Sequence, residues 1–109
     1  MAIQLIGREE LKEKLDRGDN FKLVNALGEW AFRAKRIPGS IRFNTPEEAT
    51  KTLGIDEEIV VYCSGLDCIA SVAAYYSLVK AGYKNVRRFA GGLQEWEAAG
   101  YPLEGDMVE

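Results

Sequence analysis

The sequence predicts an α/β fold, with a central parallel sheet of about five strands and helices on both of its faces. Two observations carry this. Stretches of strand type alternate with stretches of helix type along the chain, the order that a parallel sheet requires. The stretch "EIVVYC", residues 58–63, is apolar on both faces after its first residue, which suits a central strand covered from both sides.

Each element has its own grounds. "IQLIG" (3–7) is a short strand candidate. "REELKEKLDRG" (8–18) places Leu11 and Leu15 four apart, sets Glu10 and Lys14 at ion-pair spacing and stops at Gly18, so it reads as a helix. "FKLVNAL" (21–27) is a second strand candidate that ends near Gly28. In "EWAFRAKRIPGSIRF" (29–43) a short turn or helix meets a Pro-Gly break, and a short strand follows around Ile41 to Phe43. "TPEEATKTLG" (45–54) opens a helix, with Thr45 as N-cap, Pro46 at the first helical position and Glu48 closing a capping box; Gly54 ends it. After the central strand, "IASVAAYYSLVKAGY" (69–83) is a helix rich in small residues that ends at Gly82. "NVRRF" (85–89) is the next strand, and "GGLQEWEAAG" (91–100) is a final helix with Gly100 at its end and Pro102 beyond. Trp96, at helical spacing from Leu93, is expected in the core, and Trp30, Tyr75 and Tyr76 are expected against the sheet.

The bulk properties bound the function. A chain of 109 residues is expected to form one domain over its whole length, 1–109, with a real core. Hydrophobic residues make up 47% and charged residues 28%, an ordinary globular mix. The net charge of -3 gives no electrostatic case for nucleic acid or an anionic membrane as partner. No apolar run approaches the ~20 residues of a membrane span. The start, "MAIQLIGREELKEK", lacks the basic and then long apolar regions of a signal peptide, so a cytoplasmic location is expected. In that reducing setting the two cysteines, Cys63 and Cys68, are expected as free thiols.

Ligands of parallel sheets bind at the carboxyl ends of the strands. Cys63 stands at that end of the central strand, and the turn "CSGLDC" leads from it into a helix beginning near Ile69 or Ala70. The helix N-terminus presents unpaired N–H groups and positive partial charge. The turn of Ser64, Gly65, Leu66, Asp67 and Cys68 can curl into a nest of amides that holds an anion, with Gly65 relieving backbone strain. Both effects favour a thiolate at Cys63, the nucleophilic form; the Asp67 carboxylate works against it. The bland alternative makes Cys63 a small buried hydrophobe and Cys68 a filler at the first helical turn.

Other cysteine chemistries fail on the residues. A structural zinc site needs four ligands, and the chain has two Cys and no His, so no metal is expected, nor any cofactor. A Cys–His hydrolase lacks its base. Cysteine phosphatases clamp their oxyanion with an Arg six positions after the Cys, and Ile69 stands there; no basic residue lies between Cys63 and Lys80. The spacing is C-x-x-x-x-C, not the C-x-x-C of thioredoxin-like proteins.

From about Phe21 to Leu103 the chain resembles a single-domain rhodanese: "LVNAL", "RIPGSI", "IVVYC" and above all "AGYKNVRRFAGGLQEWEAAGYP" follow the family's order. The resemblance implies a rhodanese fold and a nucleophilic Cys63 that carries a persulfide and passes its outer sulfur to a thiophilic acceptor. Its implied partners are a small-molecule or protein sulfur donor and a thiol acceptor. There are departures. Asn25 and Leu27 replace an acidic and a basic residue, and Lys35 and Arg36 stand where Gly and His are usual. The usual loop runs Cys, four residues, Arg, Ser; here Cys68 takes the Arg position and the matching Ser is Ser71, so the loop looks longer and lacks its Arg. Both changes count against thiosulfate, a doubly charged anion, as donor.

The expected function is therefore a sulfurtransferase or sulfur carrier. Cys63 must be ionised and accessible, and Cys68 is either a resolving thiol that attacks the persulfide or a packed residue. The rival is a non-catalytic module that binds a protein or senses oxidants through the Cys63–Cys68 pair. Arg33, Lys35, Arg36 and Arg42 form a solvated basic face, or lie beside the Cys63 pocket and attract an anionic donor or an acidic protein partner, with Arg36 foremost. Arg87 and Arg88 are neighbours in a strand and point to opposite faces, so at most one can serve the site.

Overall fold

Strand formation starts from the apolar run at residues 59–62. In the computed structural model, which describes residues 3–108, β1 (Lys22–Asn25) and β2 (Ile59–Tyr62) pair in parallel, Leu23 beside Val60. On the other side β2 pairs in parallel with β3 (Val86–Phe89), Val61 beside Arg88. All four β2 residues are fully buried, because helices cover both sheet faces.

Period-two alternation divides the core. Ile59 and Val61 point to one face, where Val24, Leu53, Tyr75, Leu78, Tyr83 and Val86 join them. Val60 and Tyr62 point to the other, packed with Leu11, Leu23, Phe89, Leu93 and Trp96. Burying a side chain of this size stabilises the fold by roughly 1.5–3 kcal/mol, so the two clusters are what hold the sheet between its helices.

The helices follow their sequence signals. In chain order they are α1 (Arg8–Arg17), α2 (Glu29–Ala34), α3 (Pro46–Thr52), α4 (Ala70–Lys80) and α5 (Gly92–Ala98). Thr45 caps α3 by accepting from the Glu48 amide at 3.1 Å. Glu48 reaches back to the amide of Asn44, not to that of Thr45, so the box closes one residue early. In α1, Glu10 and Lys14 do not pair with each other. Lys14 meets Glu58 at 2.6 Å and Glu10 meets Arg87 at 2.9 Å, tying the helix to the sheet.

The expectation of about five strands is corrected to three among the described residues. The two missing candidates survive as single bridges at the sheet edges: Leu5 beside Arg88 and Ile41 beside Val24. Each edge makes two backbone hydrogen bonds and then departs, at Leu5 because α1 begins at Arg8, at Ile41 because the chain turns out toward the Thr45 cap. The aromatic expectations also change in part. Trp96 and Tyr75 are buried; Tyr76 is 42% exposed, its ring edge-on to that of Tyr75 at 5.5 Å, and Trp30, 76% exposed, does not pack against the sheet. Among the described residues no helix is long and apolar enough to cross a membrane.

Candidate active site

Cys63 follows β2 directly and continues its alternation, so its side chain lies on the α4 face with Ile59 and Val61. Its backbone is held by α5. The amides of Leu93 and Gln94, unpaired at a helix start with no side-chain cap, donate to the carbonyls of Cys63 at 2.9 Å and Ser64 at 2.8 Å. This close approach requires Gly92. Its φ is +59°, and a Cβ there would collide with the Cys63 carbonyl and lie 2.8 Å from the Gly65 nitrogen.

The loop closes on itself. The Cys68 amide donates to the Gly65 carbonyl at 3.2 Å, which takes one of the amides expected to face an anion. Gly65 is needed for space, not for an unusual φ: a Cβ there would come within 2.9 Å of Gln94 Cδ. Leu66 and Ile69 are exposed at 72% and 80%, and Asp67 is exposed as well.

Cys63 and Cys68 are joined in a disulfide, with Cα atoms 6.4 Å apart. The expectation of free thiols is replaced by a closed pair. Cys63 is 1% exposed in this form, whereas Cys68 is half-buried. The accessible sulfur that the sequence reading asked for is thus covered while the disulfide stands.

The surroundings of that sulfur are polar. Ser71 Oγ, in the first turn of α4, lies 3.2 Å from Cys63 Sγ. Arg88 Nε donates to the same Ser71 Oγ at 2.9 Å, and Arg88 Nη2 lies 3.5 Å from the Cys68 carbonyl. Of the two adjacent arginines, Arg88 reaches the Cys63 loop, while Arg87 turns to Glu10 and Glu58. The sequence reading allowed one of the pair but did not choose. The register of β3 on β2 makes the choice: Arg88 falls beside Val61 and so on the Cys63 face, and no local sequence pattern states that register.

Arg36 is placed differently from its expected role. It pairs with Glu104 at 3.2 Å, donates to the Phe32 carbonyl and stacks over the Phe32 ring. Lys35 pairs with Glu97, and Arg42 donates to the Leu27 carbonyl and to Asn44. These contacts bind the basic residues to local partners, none of them in the Cys63 loop. An apolar cavity of about 420 Å³ opens between α3 and α4, lined by Val24, Phe43, Leu53, Ala74 and Leu78 among others, but no residue from 63 to 69 lines it.

The model of the rhodanese-like domain matches residues 7–99. The chain belongs to the rhodanese-like domain family. The Alr3790 protein from Anabaena, a solved structure, superposes with a TM-score of 0.85 at 27% identity, covering 94% of each chain. A thiosulfate sulfurtransferase from Pseudomonas aeruginosa superposes with a TM-score of 0.81 at 24% identity; 94% of this chain is covered and 20% of that one, a likeness of fold. Among curated proteins, the HTH-type transcriptional regulator Rv0324 of Mycobacterium tuberculosis is 32% identical over 101 residues, 91% of this chain and 44% of the regulator. The chain therefore spans less than half the length of that relative. For this rhodanese-like domain the match agrees with the parallel sheet flanked by helices, and with the motif order that pointed to the family in the sequence.

Proposed function

We propose that this rhodanese-like domain is a sulfurtransferase or sulfur carrier with Cys63 as its nucleophile, acting in a reducing, cytoplasmic setting. The observation that carries the reading is the position of Cys63: at the carboxyl end of the central strand, against Ser71 and Arg88, with a second thiol within bonding reach. In the reduced protein, the Cys63 thiolate attacks the outer sulfur of a persulfide donor RS–SH. A new S–S bond forms at Cys63, the donor's S–S bond breaks, and RS⁻ leaves. An acceptor thiolate then takes the outer sulfur and regenerates the Cys63 thiolate. In competition, Cys68 as thiolate attacks the Cys63 sulfur, expels HS⁻ and leaves the disulfide, which a dithiol must reduce before the next cycle. With no basic residue in the loop, a neutral or singly charged persulfide is favoured over thiosulfate as donor.

Intact-protein mass of the reduced chain tests this. After incubation with glutathione persulfide, the mass should rise by one sulfur, and Cys63→Ser should abolish the gain. A fully reduced protein that gains no sulfur from glutathione persulfide or from thiosulfate overturns the reading.

The closed disulfide favours a second reading, an oxidant-responsive module. A hydroperoxide would convert Cys63 to a sulfenic acid, and Cys68 would displace water from it to form the disulfide. The transcriptional regulator among the relatives is a protein in which such a module would have a use. Rapid disulfide formation with hydrogen peroxide, in a protein that takes no sulfur from any donor, would select this reading.

A further inference from the structure

Among the described residues Arg88 is a buried cation with no carboxylate partner: the residue is 8% exposed, and the polar partners of its side chain are Ser71 Oγ and the Cys68 carbonyl. Its neighbour Arg87, more exposed, has two carboxylates, Glu10 and Glu58. Burying a guanidinium without a counter-ion is costly, and proteins seldom leave one so.

The anion that this site can supply is sulfur. Arg88 Nε–H donates to Ser71 Oγ at 2.9 Å, so that oxygen acts as acceptor and its own proton is free to turn toward Cys63 Sγ, 3.2 Å away. A guanidinium, a hydroxyl and a sulfur in series form a polarised chain, and polarisation strengthens each link as charge gathers on the sulfur. The loop itself offers no cation, since no basic residue stands between Cys63 and Lys80. The β3 strand brings one from beneath.

We infer that Arg88, acting through Ser71, is the counter-charge that holds Cys63 as a thiolate and then as a persulfide anion. It is a positioning residue, and the role rests on Cys63 being the nucleophile proposed above. When the disulfide closes, the anion is gone and the guanidinium keeps only its two neutral acceptors, the state seen here.

The test is the pH profile of Cys63 alkylation by iodoacetamide in a Cys68→Ser background, where one thiol remains. With Arg88 present, the midpoint should fall below the ~8.5 of a free cysteine. Arg88→Met, similar in length and uncharged, should raise it by about one unit, a roughly tenfold slower reaction at a pH well below the midpoint. Arg88→Lys should recover part of the shift. Ser71→Ala, which keeps the guanidinium and removes the hydroxyl that links it to the sulfur, should raise the midpoint as well, and it decides the matter if Arg88→Met fails to fold. Profiles that superimpose for the parent and Ser71→Ala overturn the inference, as does an Arg88→Lys profile no better than that of Arg88→Met. The sulfur-loading experiment stands apart. A midpoint that depends on Arg88 in a protein that never gains sulfur would keep the counter-charge and discard the transfer reading, and the converse result would do the reverse.

Discussion

The Tyr62 hydroxyl donates to Ser40 Oγ at 2.9 Å, deep between the central strand and the Pro-Gly turn. The same oxygen accepts from the Ile37 amide at 3.1 Å and from Asn25 Nδ2 at 3.0 Å. Ser40 passes its own proton to the Ile37 carbonyl, and Asn25 Oδ1 accepts from the Leu27 amide. One phenol thus ties β1, β2 and the type II turn at Pro38-Gly39, where Gly39 has φ +86°. Tyr62→Phe should leave the Ile37 amide and the Asn25 amide group buried without their acceptor. The expected loss is about 1–3 kcal/mol, read as a lower urea midpoint at unchanged slope.

The same residue gives a pH dependence. Burial holds the Tyr62 hydroxyl above its ordinary value of 10.0, against the smaller opposing effect of its hydrogen bonds to Ser40, Ile37 and Asn25. A raised acid binds its proton more tightly in the folded chain. Its contribution is therefore complete below the unfolded value, near ~10, and is lost as the pH climbs toward the higher folded value. The stability difference between wild type and Tyr62→Phe should stay level from pH ~7 to ~9 and shrink above ~10. A difference that widens in alkali would contradict the assignment.

Gly92→Ala should damage both fold and site. The residue sits at φ +59°, and an added Cβ meets backbone atoms of Cys63, Ser64 and Gly65, which cannot swing aside as a side chain can. A loss of about 2 kcal/mol or more is expected, together with a changed rate of Cys63 alkylation in the reduced protein. Gly65→Ala should be milder, because its neighbour is the flexible side chain of Gln94. Urea titration of the two variants side by side checks the order.

The disulfide should stabilise the oxidised chain. Cys63 and Cys68 are five residues apart, and closing so short a loop restrains the unfolded chain by about 2 kcal/mol. Oxidised wild type should unfold at a higher urea concentration than the reduced protein, and Cys68→Ser should match the reduced form with or without reductant. An oxidised protein no more stable than the reduced one would mean that the folded loop opposes closure.

Much of the fold was legible in the sequence because it depends on local chemistry. The buried run at residues 59–62, the Thr45–Pro46 start of α3 and the glycines after α1 and α5 mark their elements by periodicity and backbone preference alone. The edge strands were over-read, since a strand's length depends on how long a neighbour stays beside it, and no local pattern states that. Trp30 was misplaced for a related reason: an aromatic residue on a short helix looks the same in sequence whether or not the sheet lies beneath it.

For the site, the sequence by itself determined the family's motif order, the place of Cys63 at a strand end and the absence of a basic residue in its loop. Only the tertiary structure decided what surrounds the sulfur. It closed Cys63 on Cys68, turned Arg36 to Glu104 and carried Arg88 from a strand 25 residues downstream to Ser71 beneath the loop. The physical reason is that charge pairing and burial act through space. Parallel register, and not neighbourhood along the chain, sets which guanidinium meets which anion.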